Sequence, residues 1–288
     1  VTDAANTNPA STSNEAQRDY WSGEASRIWV DHTNRFDAQL HQHLAALLEV
    51  AQLDSTDRVI DVGCGPGAST VAAAERVAPS TVTGYDIAPQ MVDAATRRIA
   101  TAGITNARCQ VADVQTHRFE ADSADIIISR FGVMFFEDPT AAFANLRTAM
   151  NDAGRLAFVC WQSAQNNPWM TMPVLAIADL VGVPPVDPNA PGPFSMAEPG
   201  TIERILSGAG WQNLSITPHH SELYLGGPGS PREVAKFAMD NRHVAAVLRD
   251  RPDLDPVLLE RLVEVLEPFH DGIGAKFDSA IWTVTATV

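Results

Sequence analysis

Residues 59–67 read Val-Ile-Asp-Val-Gly-Cys-Gly-Pro-Gly, an apolar run that ends in an acid and passes into three glycines spaced by two. Glycines at 63, 65 and 67 permit a left-handed backbone and leave no Cβ between the chain and a ligand, so a cofactor can lie against bare peptide N–H groups at a helix N-terminus. Gly63, Gly65 and Ala68 satisfy the dinucleotide fingerprint, and Asp86 lies 23 residues beyond Gly63, where an acid meets ribose hydroxyls. A second reading of the same letters includes Asp61, two residues before the first glycine. A carboxylate there serves a pyrophosphate poorly, and Pro66 removes one N–H from a loop that would otherwise cradle phosphate. Both features suit a ligand with a positively charged sulfur better than a dinucleotide.

The elements around this stretch alternate. A strand at 58–62, a helix at 68–78, a strand at 81–86 and a helix opened by Pro89 and stopped by Gly103 come first. Further strands are expected at 107–111, 124–129 and 155–160, with Pro139 opening the helix between the last two and Ala142, Phe143, Leu146 and Met150 on its apolar face. Strands alternating with helices imply a mostly parallel sheet covered on both faces, which binds ligands at the carboxyl ends of its strands. Those ends carry Asp86, Asp113, Ser129 with Arg130, and Trp161. Each acid alone could be a helix cap.

The motifs together resemble class I S-adenosylmethionine (SAM) dependent methyltransferases, most closely the bacterial small-molecule group that includes the ubiquinone and menaquinone biosynthesis enzymes. The resemblance rests on residues 59–67, on Gly84-Tyr85-Asp86-Ile87 with Met91, on Asp113-Val114, and on 129–139. It implies a Rossmann-like fold with a mostly parallel seven-stranded sheet, helices on both faces and helical cap insertions. It further implies that Gly63, Cys64, Gly65 and Gly67 border the methionine and ribose of SAM, with Asp61 near the amino-acid end. Asp86 would accept both ribose hydroxyls, Ile87 and Met91 would pack on adenine, and Asp113, beside Val114, would take the adenine amino group, with Ser129 completing the set. Hydroxyls and amino groups donate and ionised carboxylates accept, so the residue types suit the roles. A NAD(P)-dependent oxidoreductase is the alternative, although none of Tyr20, Tyr85 and Tyr224 has a lysine four residues on. A SAM-binding module without catalysis is a third reading.

The expected organisation is a disordered tail at 1–16, a helical extension at 17–57 and a SAM-binding domain at 58–288, with cap insertions at about 161–200 and 226–274. The tail is polar and lacks the apolar core of a signal peptide. Tyr20, Trp21 and Trp29 belong either to an extension packed on the sheet or to a flap over the cofactor. The first insertion should hold a helix over about 169–181 and a loop with Pro184, Pro185, Pro188, Pro191 and Pro193. The second should hold helices over about 231–248 and 255–269. A strand-like stretch lies at 214–217 and a last, antiparallel strand at 281–287. Phe131, Trp161 and Trp169 suggest an apolar or aromatic small-molecule acceptor, with core packing as the plainer explanation. Asn167-Pro168-Trp169 follows the fifth strand, not the fourth, unlike the related motif of amino-methylating enzymes.

A formal net charge of −15, with only two lysines, repels polyanions, so nucleic acid and anionic membranes are poor partners. No stretch is long and apolar enough for a membrane span. Cys64, Cys109 and Cys160 have no metal spacing and read as buried reduced thiols of a cytoplasmic protein. His41 and His43, two apart on a helix, point in different directions and make no metal pair. His219 and His220 read as solvent-exposed, with the cavity as their other possible place. Methyl transfer from a sulfonium depends mainly on positioning, so no catalytic dyad is expected.

Overall fold

The computed structural model describes residues 14–183, 190–240 and 242–288. Three helices come first, α1 (Glu15–Trp21), α2 (Glu24–Asp31) and α3 (Thr33–Ala51). The alternating part follows as β1 (Val59–Val62), α4 (Ala68–Val77), β2 (Val82–Asp86), α5 (Pro89–Thr101), β3 (Ala107–Val111), β4 (Ala124–Arg130), α6 (Pro139–Arg147) and β5 (Met150–Trp161). Then come α7 (Pro168–Ala176), α8 (Ala178–Val181), α9 (Pro199–Gly208), β6 (Gln212–Tyr224), α10 (Pro231–Met239), α11 (Arg242–Asp250), α12 (Asp255–Leu266) and β7 (Lys276–Thr287).

The seven strands form one sheet in the order β3-β2-β1-β4-β5-β7-β6. β1 to β5 pair in parallel, and β7 runs antiparallel between β5 and β6. Strand order reverses at β1, whose neighbours β2 and β4 leave in opposite directions. Right-handed crossovers therefore put α4 and α5 on one face and α6 on the other, and the crevice at the switch point opens above β1 and β4. β1 is buried at all four positions, as a central strand covered on both sides must be.

Local chemistry explains most boundaries. Pro89 and Pro139 stand at first helical positions, and Asp138 caps α6 by accepting from the N–H of Ala141 at 2.9 Å. α6 ends at Arg147, so Met150 does not extend its apolar face but opens β5, which starts five residues earlier than expected and recovers register after a bulge. The helix expected over 169–181 is two, meeting at Ile177, whose backbone leaves the helical region at φ −118 and ψ 10, while Pro173 is contained within α7. The helix expected over 231–248 is also two: the N–H of Asp240 turns back to the carbonyl of Phe237 and ends α10. α12 passes into a single 3-10 turn at Glu267–Phe269, because Pro268 has no N–H to give.

Residues 1–13 of the expected tail, and Pro184, Pro185 and Pro188 of the proline loop, lie outside the described residues; helix begins at Glu15. Among the described residues no helix is long and apolar enough to cross a membrane.

Candidate cofactor and acceptor site

The crevice above β1 and β4 is a cavity of about 350 Å³. Its floor is the turn between β1 and α4. Gly63 has φ +64 and lies so close to Gly132, after β4, that a Cβ on it would stand 2.7 Å from the Gly132 Cα. Gly65 has φ +53, and a Cβ there would meet nothing within 4 Å, because it would enter the cavity itself. One glycine thus brings two strand ends together, and the other leaves room for a ligand.

Asp86, the last residue of β2, lies beside this turn. One carboxylate oxygen accepts from the Gly65 N–H and the other from the Ala88 N–H, each at 2.9 Å. Each oxygen retains a lone pair, and the side chain keeps some surface towards the cavity. Burial among protein atoms pushes its pKa up to about 6, against the pull of those backbone N–H groups and with a further push from Asp61. Ile87 and the buried Met91 also line the cavity.

Asp113 follows β3 and is almost fully buried. Its Oδ1 accepts from the Asn14 side-chain amide at 2.7 Å and the Gln115 N–H at 3.0 Å, whereas its Oδ2 is buried without a partner among the described residues. A buried carboxylate oxygen left unpaired is costly unless a donor comes to meet it. Asn14 also accepts from the Glu137 N–H at 2.8 Å, so one buried amide ties the N-terminal helices to this end of the cavity. A single asparagine in a polar segment has no spacing that would have revealed this role.

Three of the expected cofactor residues do not line the cavity. Asp61 is fully buried beneath the turn, where its Oδ2 accepts from Ser69 at 2.8 Å and Thr70 at 2.6 Å, and burial pushes its carboxyl above the usual range. It braces the start of α4. Gly67 packs on Ala95, and Ser129 donates to the Val62 carbonyl at 2.7 Å while accepting from the Gly132 N–H at 3.2 Å. Ser129 therefore fastens the β4 end to the β1 end. Gly63, Cys64, Gly65, Asp86, Ile87, Met91, Asp113 and Val114 all line the cavity.

The other end is aromatic. Phe131 stacks on Trp161 with ring centroids 3.9 Å apart, and Trp169 meets Trp161 edge-on at 5.2 Å. All three line the cavity, as do Trp29 and Phe36, themselves stacked at 4.0 Å. Phe131 has φ +66, a strained conformation for a bulky side chain at a strand end facing a ligand space. Asn167 explains its own motif: its side-chain amide pairs with both backbone groups of Ala280, accepting at 3.0 Å and donating at 2.8 Å, so it anchors α7 to β7 and presents Trp169.

Tyr20 and Trp21 of α1 line the cavity too. The insertion at 161–200 contributes Trp169, Met170 and Pro193, but among the described residues none of the lining comes from 226–274. That insertion acts from behind, with Phe237 against Phe36 and the Gly226 N–H donating to Gln39 at 2.6 Å. His219 and His220 lie on β6 away from the cavity, and His220 is exposed. His43 is buried behind Phe131 and Trp161, 5.6 and 5.0 Å from their rings. Cys64 has its sulfur 3.9 Å from that of Cys109. No group of three or more metal-binding side chains occurs among the described residues.

A reversed-order parallel sheet, a glycine turn and acids after β2 and β3 define a doubly wound domain that takes a nucleoside-bearing ligand at its switch point. Residues 59–154 match the family model described as a methyltransferase domain, and this part of the chain is a SAM-dependent methyltransferase domain. It is 34% identical over 113 residues to aklanonic acid methyltransferase DauC of Streptomyces sp. (strain C5), covering 39% of this chain and 51% of that protein. It is 29% identical over 182 residues to nocamycin O-methyltransferase of Saccharothrix syringae, covering 60% and 64%. The matched stretches thus span about half to two-thirds of these relatives. The fold is that of the YcgJ protein from Bacillus subtilis, with a TM-score of 0.56 at 18% identity, over 86% of this chain and 98% of the other.

Proposed function

We propose that the protein transfers a methyl group from SAM to a small-molecule acceptor with an apolar or aromatic body. The observation that carries this reading is that Asp113, whose buried Oδ2 has no partner among the described residues, lines the same cavity as the open face of Gly65 and the carboxylate of Asp86. These groups fit the cofactor: Asp86 can accept ribose hydroxyls, Asp113 can accept an adenine amino group, and Ile87 and Met91 offer an apolar wall for the ring. Bound SAM supplies an electrophilic methyl group. The chain's own part is to bind, to orient and to exclude water. Phe131, Trp161, Trp169, Trp29 and Phe36 would hold the acceptor body, and the α1 aromatics would close the mouth. The names of the two relatives, an aklanonic acid methyltransferase and a nocamycin O-methyltransferase, support a small molecule as acceptor. The three scattered cysteines suit a reducing cytoplasm.

The test is thermal unfolding and calorimetric titration with SAM, S-adenosylhomocysteine, NAD and NADP. A ligand at about 100 times its dissociation constant adds about 2.7 kcal/mol to stability. Stabilisation by the first two alone is the expected result, and stabilisation by NAD or NADP would overturn the assignment.

A further inference from the structure

Arg130, the last residue of β4, lines the cavity next to the Phe131–Trp161 stack. Its side chain makes no hydrogen bond and no ion pair among the described residues, and its Nη1 is buried without a partner. The acids nearest in electrostatic effect are Asp37 and Asp61. Asp37 is already paired with Arg98, and one oxygen of Asp61 is held by Ser69 and Thr70. The Nη1 thus loses hydration without gaining a hydrogen-bonded counter-charge, which is costly unless a ligand provides one. The planar fork matches a carboxylate in two parallel hydrogen bonds.

A second observation concerns proton transfer. No histidine or lysine lines the cavity among the described residues, and Asp86 and Asp113 are placed for the nucleoside. An acceptor whose oxygen is already ionised at neutral pH has no proton to give up and needs no base.

We infer that Arg130 binds a carboxylate of the methyl acceptor, so that the acceptor is an aromatic or apolar acid seated between the guanidinium and the Phe131–Trp161 stack. The inference rests on the methyltransferase reading for its word acceptor, but not for the binding itself. A carboxylate also stands at the amino-acid end of SAM, and the test separates the two sources.

The full chain is titrated calorimetrically with 1-naphthoate and with its uncharged match 1-naphthamide, with and without S-adenosylhomocysteine, as wild type, R130M and R130K. Wild type is expected to prefer the acid by about tenfold or more, as a charge-assisted pair would give. R130M should lose that preference, and R130K should keep part of it. S-adenosylhomocysteine should bind R130M within about twofold of wild type, one lost charged bond being worth far more. Absence of a preference in wild type, or its persistence in R130M, would overturn the inference. So would an R130M protein that binds S-adenosylhomocysteine more weakly but 5′-methylthioadenosine equally, since Arg130 would then hold the donor's own carboxylate. Should wild type prefer naphthoate through Arg130 yet ignore S-adenosylhomocysteine, the methyltransferase reading fails and the anion site stands.

Discussion

Asp86 joins the glycine turn to the start of α5 by accepting the Gly65 N–H and the Ala88 N–H, each at 2.9 Å. The same carboxylate that shapes the cofactor floor is thus the one expected to meet the ribose, and burial has raised its pKa to about 6. With Asp86 in that role, structure and binding would share one titration.

The coupling has a definite sign. Ribose hydroxyls donate, so they require the ionised carboxylate, and protonation of Asp86 in the free protein competes with binding. Affinity for S-adenosylhomocysteine should be level above about pH 7 and fall about tenfold per pH unit below about pH 6. Asp86→Ala should weaken binding about ten- to hundredfold at pH 7.5, as loss of a charged hydrogen bond of about 1.5–3 kcal/mol implies. Calorimetric titration from pH 5 to 8 reads both effects, and an affinity independent of pH would remove Asp86 from the ribose.

Gly63 and Gly65 share a left-handed backbone but differ in what surrounds them, so the same substitution should act differently at each. Gly65→Ala adds a methyl to open cavity and a left-handed strain of about 1–2 kcal/mol. It should fold, with a modestly lower Tm and S-adenosylhomocysteine affinity reduced at least about tenfold by the intruding methyl group. Gly63→Ala drives a Cβ to 2.7 Å from the Gly132 backbone. Strain and overpacking should together cost about 2–5 kcal/mol, seen as a large fall in Tm. Equal thermal losses in the two variants would contradict this division of labour.

The elements legible in the sequence were those whose signals are local. The β1 turn has its glycines, α5 and α6 have prolines at their first positions, and Gly103, at φ +68, ends α5. The residues that escaped have long-range partners. Asn14 meets Asp113 from 99 positions away, and His43 meets Ser279 from 236 away. Asp61 was legible as part of the motif but not in its place, since only the fold shows that Ser69 and Thr70 on the first turn of α4 consume its Oδ2. Arg130 is a single arginine after a β-branched run, and nothing in such a run says that no acid will pair with it. α9 passed unremarked because it follows a proline-rich stretch that reads as loop throughout.

His43 supplies a prediction about stability independent of any ligand. The ring is fully buried on α3, with Nε2 2.9 Å from the Ser279 hydroxyl and 3.4 Å from that of Ser221, and with Nδ1 lacking a partner among the described residues. Burial, reinforced by the charge of Arg130, lowers its pKa from the ordinary 6.5 to about 3. The unfolded chain takes up this proton near pH 6.5, whereas the folded chain resists it until about pH 3. Between those values the unfolded state binds more protons, so stability falls as pH falls, at about 1.4 kcal/mol per unit from this residue. At pH 5 the loss should be about 2 kcal/mol relative to pH 7.5. His43→Asn leaves an amide that can still bond Ser279 but cannot titrate. Urea unfolding across pH 7.5 to 5 should show wild type losing stability more steeply than the variant, the two curves converging or crossing as the pH falls. A wild-type-to-variant gap that stays constant over that interval would mean that the folded protein admits the proton, and that His43 is not held neutral behind the aromatic wall.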